Sequence, residues 1–385
     1  MTTEKQMAEL DAASLSRIRE SEFPVIGKWK FFNHAACSPL PKRAALAMEK
    51  QIREHGLNGN LGNSGWSRNR EDARTLVAKL LNCQREEVAF VGNTADGLSI
   101  AANGYKWREG DNVVTTNVEY PANMYPWLNL ARRGVAVKTV PERDGRILLE
   151  DIAAAIDERT RILSISWVEF ASGFRNDLVA LGALCRERGV MFVVDAIQAL
   201  GAFPIDVKAA HIDVLACGGQ KWLLGPRGCG LVFCSKNALE TLDVSVVGAY
   251  SVVDEHNYLD YKLEFKSGAA RFEHGTENAV GIAGLHGSLE LLLEVGVENI
   301  QNRILTLSDR FCEGARVKGY AIVGSSHPGE RSGLTFFEKK DENSAEIAAR
   351  LQEEGFVLSM RAGRLRFAPH FYNIEDEVDA LIAAL

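Results

Sequence analysis

Val190-Met191-Phe192-Val193-Val194-Asp195-Ala196-Ile197-Gln198 is an apolar run that ends on a carboxylate. Consecutive β-branched and aromatic residues fit a strand covered on both faces, the kind found in parallel sheets. An aspartate closing such a strand needs a partner, because a lone buried carboxylate is costly. The next apolar run, 214–216, leads into Cys217-Gly218-Gly219-Gln220-Lys221-Trp222-Leu223. There a lysine stands in a glycine-bounded turn after a strand, a place that desolvates it toward the neutral amine that condenses with an aldehyde. Taken singly, Lys221 reads as a surface charge on a loop, and Asp195 as a metal ligand or helix cap. Taken together, they are the pair that holds a pyridine ring by its nitrogen and its aldehyde, which points to pyridoxal phosphate.

Outward from this pair, apolar runs at 88–91, 113–115, 135–140, 162–165 and 231–233 alternate with helical segments. The alternation predicts a three-layer α/β domain with a mostly parallel sheet over residues 30–278. Beyond 278 the pattern changes to a helix-rich stretch (279–317), strands at 320–323 and 334–338, a helix at 344–354, strands at 356–360 and 364–367, and a helix at 374–385. This predicts a smaller α+β domain of residues 279–385, joined by residues 1–29. Met7, Leu10, Leu15 and Ile18 lie at near-helical spacing and predict an amphipathic helix there. Pro41 opens a helix through His55, and the glycines and asparagines of 56–65 read as a loop.

At 385 residues the chain is long enough for about two domains. A net charge of -7 with no Lys/Arg cluster argues against a nucleic-acid surface. Residues 1–22 lack the apolar core of a signal peptide, and no apolar run of about 18 residues is present to span a bilayer. The expectation is a cytoplasmic protein with no membrane partner. Seven cysteines without CxxC spacing fit neither a disulfide framework nor a zinc site, so no metal is expected.

Further candidates surround the central pair. Gly92-Asn93-Thr94-Ala95-Asp96-Gly97 follows one strand and opens a helix, whose free N–H groups and positive end favour a phosphate, with the Thr94 hydroxyl and the Ala95 amide as donors. An ordinary threonine cap is the plain alternative. Tyr120 follows another strand and delivers an aromatic ring to the same edge, where it either stacks on a cofactor or packs in the core. Gln198 is placed to donate to the ring's phenolic oxygen and Gln220 to reach the phosphate. Either is equally readable as a loop hydrogen bonder.

From about Phe32 onward the sequence resembles the class V aminotransferase family of fold-type I pyridoxal phosphate enzymes, which includes cysteine desulfurases, isopenicillin N epimerase and kynureninase. The resemblance lies in Asp195 with Gln198, in Gly219-Gln220-Lys221-Trp222-Leu223-Leu224-Gly225-Pro226, and in Arg271-Phe272-Glu273-His274-Gly275-Thr276-Glu277-Asn278. It implies a homodimer with shared active sites, in which Thr276 reaches the neighbouring subunit's phosphate. It also implies that Arg366, in Arg364-Leu365-Arg366-Phe367-Ala368-Pro369, grips the substrate carboxylate, with Arg361 and Arg364 as competitors. Three departures stand out. No cysteine lies between Met360 and Arg366, where desulfurases carry their nucleophile; Tyr120 and Gln220 replace histidines of many relatives; and Phe170 stands where desulfurases use an asparagine.

These readings predict an enzyme acting on an α-amino acid, with Lys221 as cofactor attachment point and general base. Aminotransferase or epimerase chemistry is the first expectation, and a β-lyase is the alternative. A catalytically silent cofactor-binding scaffold is a further alternative from another class. Gly225-Pro226-Arg227-Gly228-Cys229-Gly230 is glycine-rich but is not a nucleotide loop, since it runs into a strand instead of opening a helix.

Overall fold

Covered apolar runs form strands, and the computed structural model, which describes residues 11–385, sets them in three sheets. In chain order the first strands are β1 (Lys30–Phe31), β2 (Val88–Val91), β3 (Asn112–Thr116), β4 (Ala136–Val140), β5 (Thr160–Ser166), β6 (Met191–Asp195) and β7 (Val214–Gly218). The rest are β8 (Gly230–Cys234), β9 (Ala321–Val323), β10 (Thr335–Glu338), β11 (Phe356–Val357), β12 (Ser359–Arg361) and β13 (Arg364–Phe367).

The large sheet runs β2-β8-β7-β6-β5-β3-β4. Strands β3 to β7 are mutually parallel, and β8 is antiparallel to both β7 and β2. Along β6 the side chains alternate between two cores: Phe192 and Val194 enter one, Met191 and Val193 the other. Two cores, one on each face, require helices on both sides and make the three layers expected from the sequence. The parallel strands also bring their C-terminal ends to one edge, the usual place for a ligand in an open α/β sheet.

The small antiparallel sheet runs β12-β13-β10-β9. Phe337, Leu365 and Phe367 of this sheet pack on Phe311, Leu351 and Leu381 to form a third core. The N-terminal helix Ala12–Glu22 docks nearby through Arg19 to Glu377 at 2.6 Å, and Phe23 stacks on Tyr372 with ring centres 3.7 Å apart. Leu15 is buried as its spacing predicts, while Met7 and Leu10 lie outside the described residues.

Two local expectations are corrected. Residues 56–65 are not an open loop: the helix Lys42–Asn58 gives way to one tight turn, Gly59–Gly62, and the helix Asn63–Leu81 follows at once. Gly59 makes the break with φ of 52°, and packing of both helices on Ala279–Val295 overrides the local composition. The 279–317 stretch is two helices, Ala279–Val295 and Val297–Val317, bent at Gly296, where φ is 85°. The first of them lies against helices of the large-sheet part, so the chain passes from one part to the other gradually. Among the described residues no single helix is long and apolar enough to cross a membrane.

Candidate active site

Asp195 ends β6 and is 1% exposed. Its Oδ1 accepts the Ile197 N–H at 2.9 Å, but Oδ2 is buried without a protein partner. Burial pushes its pKa up to about 6, against the pull of the Ile197 amide and the Lys221 charge. A sequestered acceptor atom of this kind is costly unless an N–H arrives to satisfy it, and the ring N–H of a pyridinium is such a group.

Lys221 emerges from β7, the strand beside β6. Its turn is held from both sides: the Leu224 N–H donates to the Lys221 carbonyl at 3.0 Å, and the Ser38 hydroxyl donates to the same oxygen at 2.7 Å. Leu224 takes φ of 55°, a left-handed conformation that leucine rarely adopts, so the packing over-determines this turn. The Lys221 Nζ lies 5.6 Å from the centre of the Tyr120 ring. Burial lowers its pKa to about 8, with Arg366 and Arg361 adding to the effect and Asp195 opposing it. An amine so placed is partly neutral near pH 7, as nucleophilic or basic use requires.

Of the other predicted residues, Thr94, Tyr120, Gln198 and Gln220 have contacts that link them to these strands or to the lysine turn. Thr94 begins the helix Thr94–Gly104 and is buried; its hydroxyl oxygen accepts the Gly218 N–H at 2.9 Å, which leaves its own O–H to donate. Asn93 caps the Asp96 N–H at 3.1 Å, so the Thr94 and Ala95 amides face outward at the positive helix end. Tyr120 is 44% exposed and meets Phe170 edge-on at 5.2 Å, so it is not a core tyrosine. Gln198 donates to the Ala35 carbonyl and accepts the Trp222 indole N–H, each at 3.2 Å, tying it to the lysine turn. The Gln220 backbone carbonyl accepts the Ser38 N–H at 2.8 Å, and its side chain is half-buried. Thr276 stands apart, exposed on the wall of a cavity of about 370 Å³ that it shares with Gly92, Asp96 and Gly228.

The structure separates the three C-terminal arginines. Arg364 pairs with Glu338 at 3.2 Å, and Arg361 donates to the Met360 carbonyl at 2.7 Å. Arg366 is 1% exposed, donates through Nε to Ser359 Oγ at 3.0 Å and leaves Nη2 buried with no partner. Burial, aided by Arg361, brings its pKa down to about 9. A buried guanidinium without a carboxylate is half of an ion pair.

Comparison with known proteins gives this arrangement a family. The sequence model of the class-V aminotransferase family matches residues 30–380. The chain belongs to the class-V aminotransferase family. A probable cysteine desulfurase of Methanothermobacter thermautotrophicus is 28% identical over 390 residues, covering 94% of each chain. The apo structure of a cysteine desulfurase from Thermococcus onnurineus NA1 superposes with a TM-score of 0.87, 23% identity and 96% coverage of each chain. The cystine C–S lyase C-DES, solved with its product cysteine persulfide, gives 0.88 at 23% identity, covering 94% of this chain and 98% of its own. A C-DES variant has also been solved with glycine covalently linked to its pyridoxal phosphate, at the same TM-score and identity, covering 94% of this chain and 97% of that one. This class-V chain is therefore a pyridoxal phosphate-dependent enzyme with the fold-type I architecture.

Two residues of this class-V site escaped the sequence reading. Glu119 is buried and accepts the Ser166 N–H at 2.6 Å and the Ser166 hydroxyl at 2.5 Å. Ser166 is the residue in register with Asp195 on the next strand. Glu169 is fully buried, accepts from Asn176 Nδ2 at 3.1 Å and keeps Oε2 unpartnered. Burial, with the nearby Asp195 charge, raises the Glu119 pKa to about 7; burial and Glu119 hold that of Glu169 well above the usual range. The available signal was an acid inside an apolar context, Val118-Glu119 and Val168-Glu169-Phe170.

His34 and His370 are fully occupied. The His34 Nδ1–H donates to the Ala368 carbonyl and its Nε2 accepts the Tyr372 hydroxyl, both at 2.8 Å. The His370 Nε2–H donates to the Trp222 carbonyl at 3.2 Å, while Nδ1 accepts the Phe371 N–H at 2.9 Å. Burial lowers both pKa values, that of His370 to about 4, so these rings serve packing and not proton transfer.

Proposed function

We propose that this enzyme is a lyase that breaks the Cβ–S bond of a cysteine-type amino acid, with Lys221 as base and Arg366 as carboxylate anchor. The observation that carries the amino-acid part is the buried, unpaired Arg366 Nη2 near an amine lowered to about pKa 8. Full-length relatives named cysteine desulfurase favour C–S cleavage over the aminotransferase or epimerase chemistry expected first.

The route follows from the β12–β13 hairpin. It closes on Ala362 and Gly363 alone, with φ of 49° and 80°, so the segment before Arg366 is a tight turn with no cysteine in it. Sulfur then leaves directly instead of passing to an enzyme thiol at that position, as fits the naming of C-DES as a cystine C–S lyase.

When bound, the coenzyme supplies an aldehyde for the substrate amine and an electron-accepting ring. Lys221 Nζ takes the α proton. The Cα–H electron pair becomes the second bond between Cα and Cβ, and the Cβ–S pair departs with sulfur. Hydrolysis yields pyruvate and ammonia. Asp195 keeps the ring nitrogen protonated, and the Thr94 hydroxyl, the Ala95 amide and the Gln220 side chain serve the phosphate. Tyr120 covers the ring face, and the second amide N–H of Gln198 is available to its phenolic oxygen. Thr276, exposed on the wall of a cavity whose lining does not include Lys221, suits supply to a second copy of the chain in a homodimer.

The test is a panel of L-cystine, L-cysteine and L-alanine with purified, coenzyme-loaded protein. Pyruvate with released persulfide or sulfide from the sulfur substrates is expected. Pyridoxamine formation or racemisation of alanine in its place would restore the earlier expectation, and bound chromophore without any turnover would indicate a silent scaffold.

A further inference from the structure

We propose that Asn33 is a second anchor for the substrate carboxylate, sharing it with Arg366. This rests on the amino-acid reading above but not on C–S cleavage.

Strand register places the two side chains on one face. The Ala368 N–H donates to the Phe32 carbonyl at 2.9 Å and the His34 N–H to the Ala368 carbonyl at 3.2 Å, which sets Asn33 opposite Ala368 in a parallel bridge. Side chains two apart on an extended chain share a face, so Ala368 and Arg366 point the same way, and Asn33 with them. The packing agrees. Phe32, Leu365 and Phe367 enter the core of the small sheet, whereas Ala368 and Phe336, the residue opposite Arg366, enter a core of the large sheet. Asn33 and Arg366 therefore both face the large sheet, from which Lys221 approaches.

Both side chains are also incompletely bonded. Asn33 Oδ1 and Arg366 Nη2 are each buried without a partner, although Asn33 as a whole is only half-buried and reachable. A carboxylate between them takes the guanidinium and an amide N–H together, and the amide oxygen is then left for the substrate's own donors. The backbone after Asn33 reinforces this position: the Ala35 carbonyl binds Gln198, and Ser38 binds the Lys221 and Gln220 carbonyls. One short segment thus ties the carboxylate end of the pocket to the amine end.

The experiment titrates glycine and ethylamine into coenzyme-loaded wild type, N33A, N33D and R366K, reading the change in coenzyme absorbance. Glycine has a carboxylate but no leaving group, and ethylamine has neither, so binding is separated from cleavage. N33A should weaken glycine about 10-fold and leave ethylamine within about 2-fold, as for one lost hydrogen bond to a charged group. N33D keeps the shape but sets a negative charge against the ligand, and should weaken glycine more than N33A while sparing ethylamine. Glycine affinity at the wild-type level in N33D overturns the proposal, as does equal weakening of glycine and ethylamine in both variants. Failure to release pyruvate from cystine, with these glycine effects intact, would overturn only the cleavage reading.

Discussion

Asp195 and Lys221 attract one another without touching: each charge pulls on the other's pKa, yet Asp195 Oδ2 has no hydrogen-bond partner. Asp195 closes β6 and Lys221 stands in the turn that follows β7, the neighbouring parallel strand, so the sheet delivers both groups to the same edge. Two opposite charges that burial penalises on both sides, held apart by rigid elements, gain from a polar ring inserted between them.

That arrangement fixes the pH behaviour of the coenzyme-free protein. Asp195 has its folded pKa raised from 3.8 to about 6, so the folded chain holds a proton that the unfolded chain has released. Its neutral form is the stable one, and stability falls as pH rises through that window. Asp195→Asn removes the fall. Urea unfolding should show the variant gaining on wild type by up to about 3 kcal/mol between about pH 4 and pH 7. With coenzyme bound the advantage goes to wild type, and turnover of the variant drops about 100-fold or more. Parallel pH curves for the two proteins would contradict this account.

Under the proposed carboxylate role, the buried and unpartnered Arg366 Nη2 is a cost accepted for binding. Replacing a buried charge that lacks its partner by an apolar side chain of similar length stabilises the fold, here by about 1–3 kcal/mol. Arg366→Met should therefore unfold at higher urea than wild type while losing glycine binding by about 100-fold or more. A variant that is both less stable and still able to bind glycine would show that Arg366 serves structure.

The strand ends were legible in the sequence because a double-sided sheet demands uninterrupted apolar runs, and residues 190–194 and 214–216 form them. Asp195 and Lys221 stood out as charges at the ends of such runs. Thr94 and Ala95 sit where the strand-to-helix pattern placed them. The Gly56–Gly65 composition misled because tertiary packing, not local propensity, decides a helix pressed against another helix. Glu119, Glu169 and the shared face of Asn33 and Arg366 depend on which strands pair and in what register, which one chain's local pattern does not state. The resemblance names Arg366 over Arg361 and Arg364, and the partners that distinguish the three, Glu338 for Arg364 and the Met360 carbonyl for Arg361, depend on the hairpin that the structure describes.

Gly97 lets the helix that carries Thr94 lie directly on the sheet. A Cβ at this position would come 2.7 Å from Ala216 Cβ and 3.5 Å from Val232 Cβ. Gly97→Ala should cost about 1–3 kcal/mol through overpacking. Because relief requires the helix to move off β7, the Thr94 to Gly218 hydrogen bond is strained as well, and coenzyme affinity should fall more than about 10-fold. Equilibrium dialysis of coenzyme and urea unfolding give both numbers; wild-type values for the pair would refute the close packing.

Glu169 carries the last prediction, because its carboxyl is buried near three other acids. Glu119, Asp195 and Glu142 all act against its ionisation, burial adds the largest share, and the Asn176 hydrogen bond opposes them. Its folded pKa lies well above the ordinary 4.5, so the native protein keeps a proton there that the unfolded chain gives up. Stability is thus complete below the ordinary value and is lost as pH rises through the raised one. Glu169→Gln imitates the neutral acid and retains an oxygen to accept from Asn176. At about pH 4 and below the variant and wild type should unfold alike, and as pH rises toward about 8 the variant should become the more stable of the two. Glu119, raised to about 7 mainly by burial, leaves a smaller slope in both proteins. Strong destabilisation of Glu169→Gln at low pH would mean that the carboxylate is ionised and needed, and the neutral-acid assignment would be wrong.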